Sequence, residues 1–476
     1  MIEKLYTSKY LEAIISFIVL LPVSLSFLLN SITSDGKIYI SLAKITDLWG
    51  TFPSNLDALW EVKPIGDRFI FYSLYKITSL FTEFGTYEFE ILFKAICICI
   101  VLIICYYFSK QINKKYIFLL TSLAFLTPMG FISISPDWWA CLISLLVLSL
   151  LLTYSKINWC LAGILITFIF LIKGATLFFI IPIICALYLF KKDIIIDRIV
   201  YCECGSILSL SIILLSGLFP HIISDMILSA QIAQVGSTTI GNLVVKFITT
   251  GLTMWAYIPV ILAGMFTTYL LYIKYASERK MKELAFIILM WLSVLLVIFM
   301  QGEFWHYHYS SLIITSIISI ILLSDNAIKY SIIIMFVIFI TFSGHWGIDM
   351  AAENKFYEEQ KIGSKIITTN ITDILNQDTI LYLDLGDAAY FFPANSSCRY
   401  VQPLPFQRNS DTWDMTGTSQ YYETYYCILN YTGKYIIDGS NNVINRNTTD
   451  SDIVRNKINT EYERIWENNW IIYRRL

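Results

Sequence analysis

The stretch FEILFKAICICIVLIICYYFS, residues 89–109, carries one glutamate and one lysine near its start and is otherwise apolar or aromatic up to its final serine. About 20 such residues form a helix long enough to cross the hydrocarbon core of a bilayer. A soluble core helix of this length would show a polar face, and this one shows none. Ten further runs of similar character lie on either side of it, at 11–30, 116–134, 138–155, 158–172, 175–190, 200–218, 251–273, 284–301, 309–324 and 331–348. The chain is therefore expected to be a polytopic α-helical membrane protein with about 11 spans.

Composition agrees. Hydrophobic residues make up 56% of the 476 and charged residues 15%, against about a quarter charged in a soluble domain. The net charge of −2 gives no bulk attraction to nucleic acid, and no nucleic-acid partner is expected. Eight of the ten cysteines fall in or beside the apolar runs without zinc-site spacing and are expected to be core or lipid-facing residues. Cys398 and Cys427 stand apart in a polar tail and could pair if that tail is outside the cell. Residues 11–30 follow Lys4 and Lys9 and lack a small-x-small cleavage site, so they read as a retained first span.

Positive residues are retained on the cytoplasmic side of short loops. Lys4 and Lys9, Lys110 with Lys114 and Lys115, Lys156, Lys191 with Lys192 and Arg198, Lys274 through Lys282, and Lys329 fall on alternate loops. The expected layout is a plasma-membrane protein with its N-terminus cytoplasmic and its C-terminus extracytoplasmic. Residues 1–348 form the membrane domain, with a first outer loop at 31–88. In that loop Ile38, Ile40, Leu42, Ala43, Ile45 and Leu48 suggest an amphipathic helix in the interface, and Phe69 to Phe81 a second. Residues 349–476 turn polar, and TILYLDL (379–385) and KYIIDG (434–439) read as strands. Helical patterns occupy 353–368 and 451–468, giving a small extracytoplasmic α/β domain. Sequons at Asn370, Asn395, Asn430 and Asn447 fit an external tail but arise by chance in an Asn-rich sequence.

Ionisable groups at membrane depth are costly and usually functional. On the expected outer side they are Asp35 (SITSDGKIY), Lys63 (WEVKPIGDRF), Asp137 (SPDWWACL), Lys173 (FLIKGATLFF), and Glu303, His306 and His308 (QGEFWHYHYSS), with His221 and Asp225 as weaker candidates. A carboxylate such as Asp35 can take a proton or hold a metal. Lys63, fixed by Pro64, and Lys173, without a nearby acid in sequence, can meet a phosphate. Each has a plainer reading: helix caps for Asp35 and Asp137, snorkelling for Lys63, a surface pair for Asp67 with Arg68, and interfacial packing for the histidines. The two histidines share a face only if their segment is extended. No Walker loop, dinucleotide fingerprint, CxxC pair or HExxH is present.

In order along the chain these segments resemble the GT-C class of membrane glycosyltransferases, in the branch of protein O-mannosyltransferases and the lipid A aminoarabinose transferase. The resembling parts are Asp35-Gly36-Lys37-Ile38-Tyr39, Lys63-Pro64 leading into Phe69 to Tyr75, and Asp137 at the head of a span. They continue with Trp159 to Gly163 through Lys173-Gly174 to Pro182, the HYHYSSL segment, and the tail's LDLGDAAYFF, Cys398-Arg399-Tyr400 and KYIIDG. The resemblance implies inverting transfer of a sugar from a polyprenyl-phosphate donor to a protein, lipid or glycan acceptor at the outer face of the membrane. In that scheme Asp35 and Asp137 are catalytic, and Lys63, Lys173, His306 and His308 bind the donor phosphate. Gly36 stands where relatives carry a second acid, so no cofactor is certain, and a divalent metal would fall to Asp35 and Glu303. DTWDMTG (411–417) is a poor match to an oligosaccharyltransferase acceptor motif, which favours a single sugar as cargo. A secondary transporter is the alternative, but it would show inverted repeats. A membrane-anchored binding domain would need far fewer spans.

Overall fold

The computed structural model describes residues 2–29, 34–49, 65–112, 114–129, 135–172, 178–191, 196–217, 247–249, 258–301, 306–376, 379–383, 388–398, 406, 409–410, 413–414, 416–439, 448–468 and 470–476. The helices are α1 (Ile2–Leu29), α2 (Ser34–Trp49), α3 (Ile65–Ser79), α4 (Tyr87–Gln111), α5 (Ile117–Met129), α6 (Pro136–Leu151), α7 (Lys156–Ile172), α8 (Ile180–Lys191) and α9 (Ile196–Leu215). They continue with α10 (Ile258–Ser277), α11 (Met281–Gln301), α12 (Leu312–Leu323), α13 (Asp325–Asn370), α14 (Ser419–Asn430) and α15 (Thr449–Glu461). A 3-10 segment, His306–Ser311, leads into α12. The chain divides into two compact units, the described residues of Met1–Asn30, Ile91–Pro220 and Thr238–Met350 in one, and those of Ser31–Glu90 and Ala351–Leu476 in the other.

The first unit is helical. Among the described residues five helices are long and apolar enough to cross a membrane, within α1, α4, α9, α10 and α11. Shorter apolar helices are found at five of the other expected spans, and the last expected span, 331–348, lies inside the 46-residue α13. The outer faces of these helices expose Phe17, Ile18, Ile207, Ile212, Phe266 and Leu292. Water would not tolerate so many large apolar side chains in one surface, and lipid would. The unit thus has the character of a multi-pass membrane protein.

Without a hydrophobic drive between helices in lipid, close contact depends on small residues. α7 and α9 meet in this way. A Cβ on Gly163 would stand 1.9 Å from the Cys202 carbonyl oxygen, and one on Gly205 would stand 2.0 Å from that of Cys160. Ser206 Oγ donates to the Gly163 carbonyl at 3.0 Å. Two lysines, buried Lys94 and half-buried Lys114, finish two helices: Lys94 Nζ donates to the Leu28 carbonyl at 2.8 Å near the end of α1, and Lys114 Nζ donates to the Ile321 carbonyl near the end of α12. Such carbonyls lack intrahelical partners and carry the negative end of the helix dipole.

The second unit is built on a five-stranded sheet of order β2-β1-β5-β7-β6, from β1 (Thr379–Tyr382), β2 (Asn395–Ser396), β5 (Tyr435–Asp438), β6 (Tyr462–Glu467) and β7 (Ile471–Arg475). β3 (Asn409–Ser410) and β4 (Trp413–Asp414) form a separate antiparallel pair. β1 runs parallel to β2 and β5, and β7 runs antiparallel to β5 and β6. Alternate residues enter opposite faces, as strand geometry demands. Ile380, Tyr382, Tyr435 and Ile437 pack with Leu42 and Ile45 of α2 and Ile367 of α13. Leu381, Leu383 and Ile436 pack with Tyr421, Tyr425 and Ile428 of α14 and Val454 and Ile458 of α15. Burial on both faces explains why TILYLDL and KYIIDG read as nearly unbroken apolar runs. The apolar pattern that suggests an interfacial helix in the first outer loop thus has a protein partner, the sheet. The expected helix at 451–468 stops at Glu461, and Tyr462–Glu467 is β6, because pairing with β7 outcompetes its helical spacing. Cys398 and Cys427 form a disulfide.

Candidate functional site

α6 begins with a chain of local signals. The Ser135 hydroxyl accepts from the Trp138 amide at 3.3 Å as the N-cap, and Pro136 occupies the first turn, where its missing N–H costs nothing. Capping is therefore done by Ser135, and Asp137 is released from the role that its position suggested. Asp137 lies in the first turn, fully buried, at the positive end of the helix dipole. Trp138 donates its indole N–H to the Phe125 carbonyl at 3.3 Å and meets the Trp139 ring edge-on at 5.0 Å. Both indoles are buried, as is the aspartate that precedes them.

The 3-10 segment packs against α6. His308 is buried within it, and Tyr309 donates its hydroxyl to the Phe247 carbonyl at 2.7 Å with the two rings stacked. The Cys141 side chain, one turn beyond Asp137, lies against the backbone of Ile314 in α12. The segment that carries His308 thus packs against the helix that Asp137 heads. His306 and His308 are not on an extended strand; positions two apart in a 3-10 helix fall about 120° from each other, so the segment does not meet the condition for the pair to share one ligand.

In the second unit α2 and α3 run parallel, because contacts advance together along both. Tyr39 stacks on Phe71 at 4.7 Å, and eight residues later the Asp47 carboxylate accepts from Lys76 Nζ at 2.6 Å and from the Tyr72 and Tyr75 hydroxyls at 3.3 Å each. Burial and the Asp47 charge push the Tyr72 phenol up, and the hydrogen bond to Asp47 raises the Lys76 ammonium. The starts of the two helices therefore share one end. Asp35 occupies the first turn of α2, and Lys63 precedes α3 by two positions, outside the described residues.

Three residues deserve a place that the sequence did not suggest. Lys37 and Asp67 are buried in the first turns of α2 and α3, which removes the surface-pair reading of Asp67 with Arg68. Glu90, also buried, accepts from the Tyr390 hydroxyl at 2.9 Å. Only the burial of these charges marks them, and their spacing in the chain does not announce it. Lys173, Glu303, His221 and Asp225 lie outside the described residues, and Asp35 and His306 are placed by their backbone alone. Among the described residues no group of three or more His, Cys, Asp or Glu is arranged to hold a metal ion. No protein-family model matches the chain, and comparison with curated proteins and with solved structures returns no match.

Proposed function

We propose that this chain is an inverting glycosyltransferase of the GT-C type, moving a sugar from a polyprenyl-phosphate donor to an acceptor at the outer face of the plasma membrane. The observation that carries the reading is Asp137, a fully buried carboxylate at the head of an apolar helix against which the segment carrying buried His308 packs. A charge in that setting is expensive and is retained where it meets a polar substrate. The parallel α2/α3 pair adds support by bringing the helix whose first turn holds Asp35 beside the helix that follows Lys63.

In this reading the acceptor hydroxyl or amine attacks the anomeric carbon from the face opposite the phosphate. Its proton passes to the Asp35 carboxylate, the new glycosidic bond forms, and the C1–O bond breaks with its electron pair leaving on the lipid phosphate. Lys63, Lys173 and His308 supply positive charge or hydrogen bonds where negative charge grows. Asp137 orients the sugar or the acceptor. Lipid-facing helices receive the prenyl tail, whose burial provides binding energy remote from the reacting bond. The Cys398–Cys427 disulfide supports an extracytoplasmic tail, since such bonds persist in oxidising compartments.

Purified protein is to be incubated with a panel of polyprenyl-phosphate sugars while free lipid phosphate is followed. The expected result is release from at least one donor, with Asp35→Asn and Asp137→Asn each losing about two orders of magnitude or more in rate. Release from no donor, or full activity in Asp35→Asn, overturns the mechanism. Uptake of a labelled solute into sealed vesicles that is unchanged in Asp35→Asn would instead favour a transporter.

A further inference from the structure

The tail carries a hollow of about 330 Å3 lined by Thr379, Ser397, Cys427, Asn430 and the Tyr431–Gly433 segment. Its polar side chains are four hydroxyls, the Tyr431 phenol among them, and one carboxamide, and no charged side chain lines it among the described residues. That inventory can both donate and accept hydrogen bonds but offers no counter-ion. A phosphate or carboxylate would find only the Arg475 guanidinium nearby, and that group is already bonded to the Thr432 carbonyl. A neutral polyol would find a partner for several of its hydroxyls.

The walls are fixed before any ligand arrives. The Cys398–Cys427 disulfide ties the segment after β2 to α14 beside the hollow. The Tyr431 hydroxyl is held against the Tyr435 carbonyl at 2.7 Å and the Thr379 carbonyl at 3.2 Å. Gly433 lets that ring lie against the chain, since a Cβ there would stand 2.3 Å from the Tyr431 hydroxyl oxygen. A preformed site loses little entropy on binding.

A second observation points to the same class of ligand. Tyr422, Tyr426 and Asn430 follow one another at four-residue spacing on α14, so they share one face of that helix. The Tyr422 and Tyr426 rings are 43% and 55% exposed and stack on each other at 6.2 Å. Exposed, mutually braced aromatic rings leading to hydroxyl and amide groups suit the alternating C–H faces and hydroxyl edges of a pyranose chain. We propose that this face of the tail is a binding site for a neutral oligosaccharide, with one sugar in the hollow and the next against Tyr426. Its use as a seat for a glycan acceptor rests on the transfer reaction proposed above, whereas the binding does not.

The test is saturation-transfer NMR on the full-length protein in detergent with cellobiose, chitobiose and mannobiose, and with glucose 1-phosphate as a charged comparison. At least one neutral disaccharide is expected to bind, with affinity falling about tenfold in Asn430→Ala and in Tyr426→Ala. Both residues are exposed, so the variants should melt with the wild type. No transfer to any neutral disaccharide, undiminished binding in both variants, or stronger binding of glucose 1-phosphate overturns the site. With a glycan acceptor in the lipid-phosphate release assay, Asn430→Ala is expected to raise the acceptor KM and leave kcat unchanged. A wild-type protein that binds the disaccharide but releases no lipid phosphate would remove the acceptor role and the proposed function together, while leaving the binding site standing.

Discussion

Arg279 ends α10 with φ of 56°, in the left-handed region. Its amide donates to the Ala276 carbonyl at 3.2 Å, and the Lys280 amide donates to the Tyr275 carbonyl at 2.8 Å. These are the two bonds of a Schellman cap, whose left-handed position usually belongs to glycine. An arginine there carries a steric cost of about 1–2 kcal/mol, and it also belongs to the cluster of positive residues in that loop. Arg279→Gly is therefore expected to stabilise the fold by about 0.5–1 kcal/mol after the extra entropy of unfolded glycine is counted. A thermal melt of purified protein checks this, and an unchanged or lower midpoint would refute the strain argument. The same residue scale shows what a sequence leaves hidden at the site. Asp137 stands out in SPDWWACL, yet whether it caps its helix or faces a substrate depends on Ser135, two residues earlier, taking the cap. Asp67 and Lys37 look like surface charges until α2 and α3 are paired.

Elements were more legible than residues where one physical signal dominates. Apolar runs at 158–172 and 200–218 become α7 and α9, and TILYLDL and KYIIDG become β1 and β5. Tyr462–Glu467 was not legible, because strand pairing with β7 is a long-range event that local spacing cannot report. Nor does the sequence show the end of the last span, since Ala351, Ala352 and Glu353 favour helix and α13 continues through the change of composition. Helix contacts leave a fainter trace. Gly163 and Gly205 are ordinary in the sequence, but each brings a backbone carbonyl within 2.0 Å of where a Cβ would stand. Neither helix backbone can yield to a side chain without separation of the pair. Gly163→Leu and Gly205→Leu are each expected to cost about 2 kcal/mol or more, read as a lower melting temperature in detergent. Because the two sites form one seam, the double variant should cost less than the sum of the singles. Full additivity would mean that the helices do not separate as a pair.

At the scale of the whole molecule, two kinds of evidence bear on direction across the membrane, and they come from different chemistry. Lysines and arginines on alternate loops concern insertion, where positive residues stay on the cytoplasmic side. The Cys398–Cys427 pair concerns redox poise, since a cytoplasmic tail would keep both thiols reduced. On the proposed reading the tail is outside and the N-terminus inside, the arrangement that a donor phosphate presented at the outer face requires. Protease added to intact spheroplasts carrying a tag at each end is expected to remove the C-terminal tag and spare the N-terminal one, with the opposite result in inverted vesicles. The same preparation should show Cys398 and Cys427 resistant to a thiol reagent until a reductant is added. A protected C-terminus with free thiols would reverse the orientation, and Asp137 and His308 would then open toward the cytoplasm, where a nucleotide-sugar rather than a polyprenyl-phosphate sugar becomes the donor to test. The orientation experiment thus decides which donor chemistry the buried carboxylate can serve, independently of any assay of transfer.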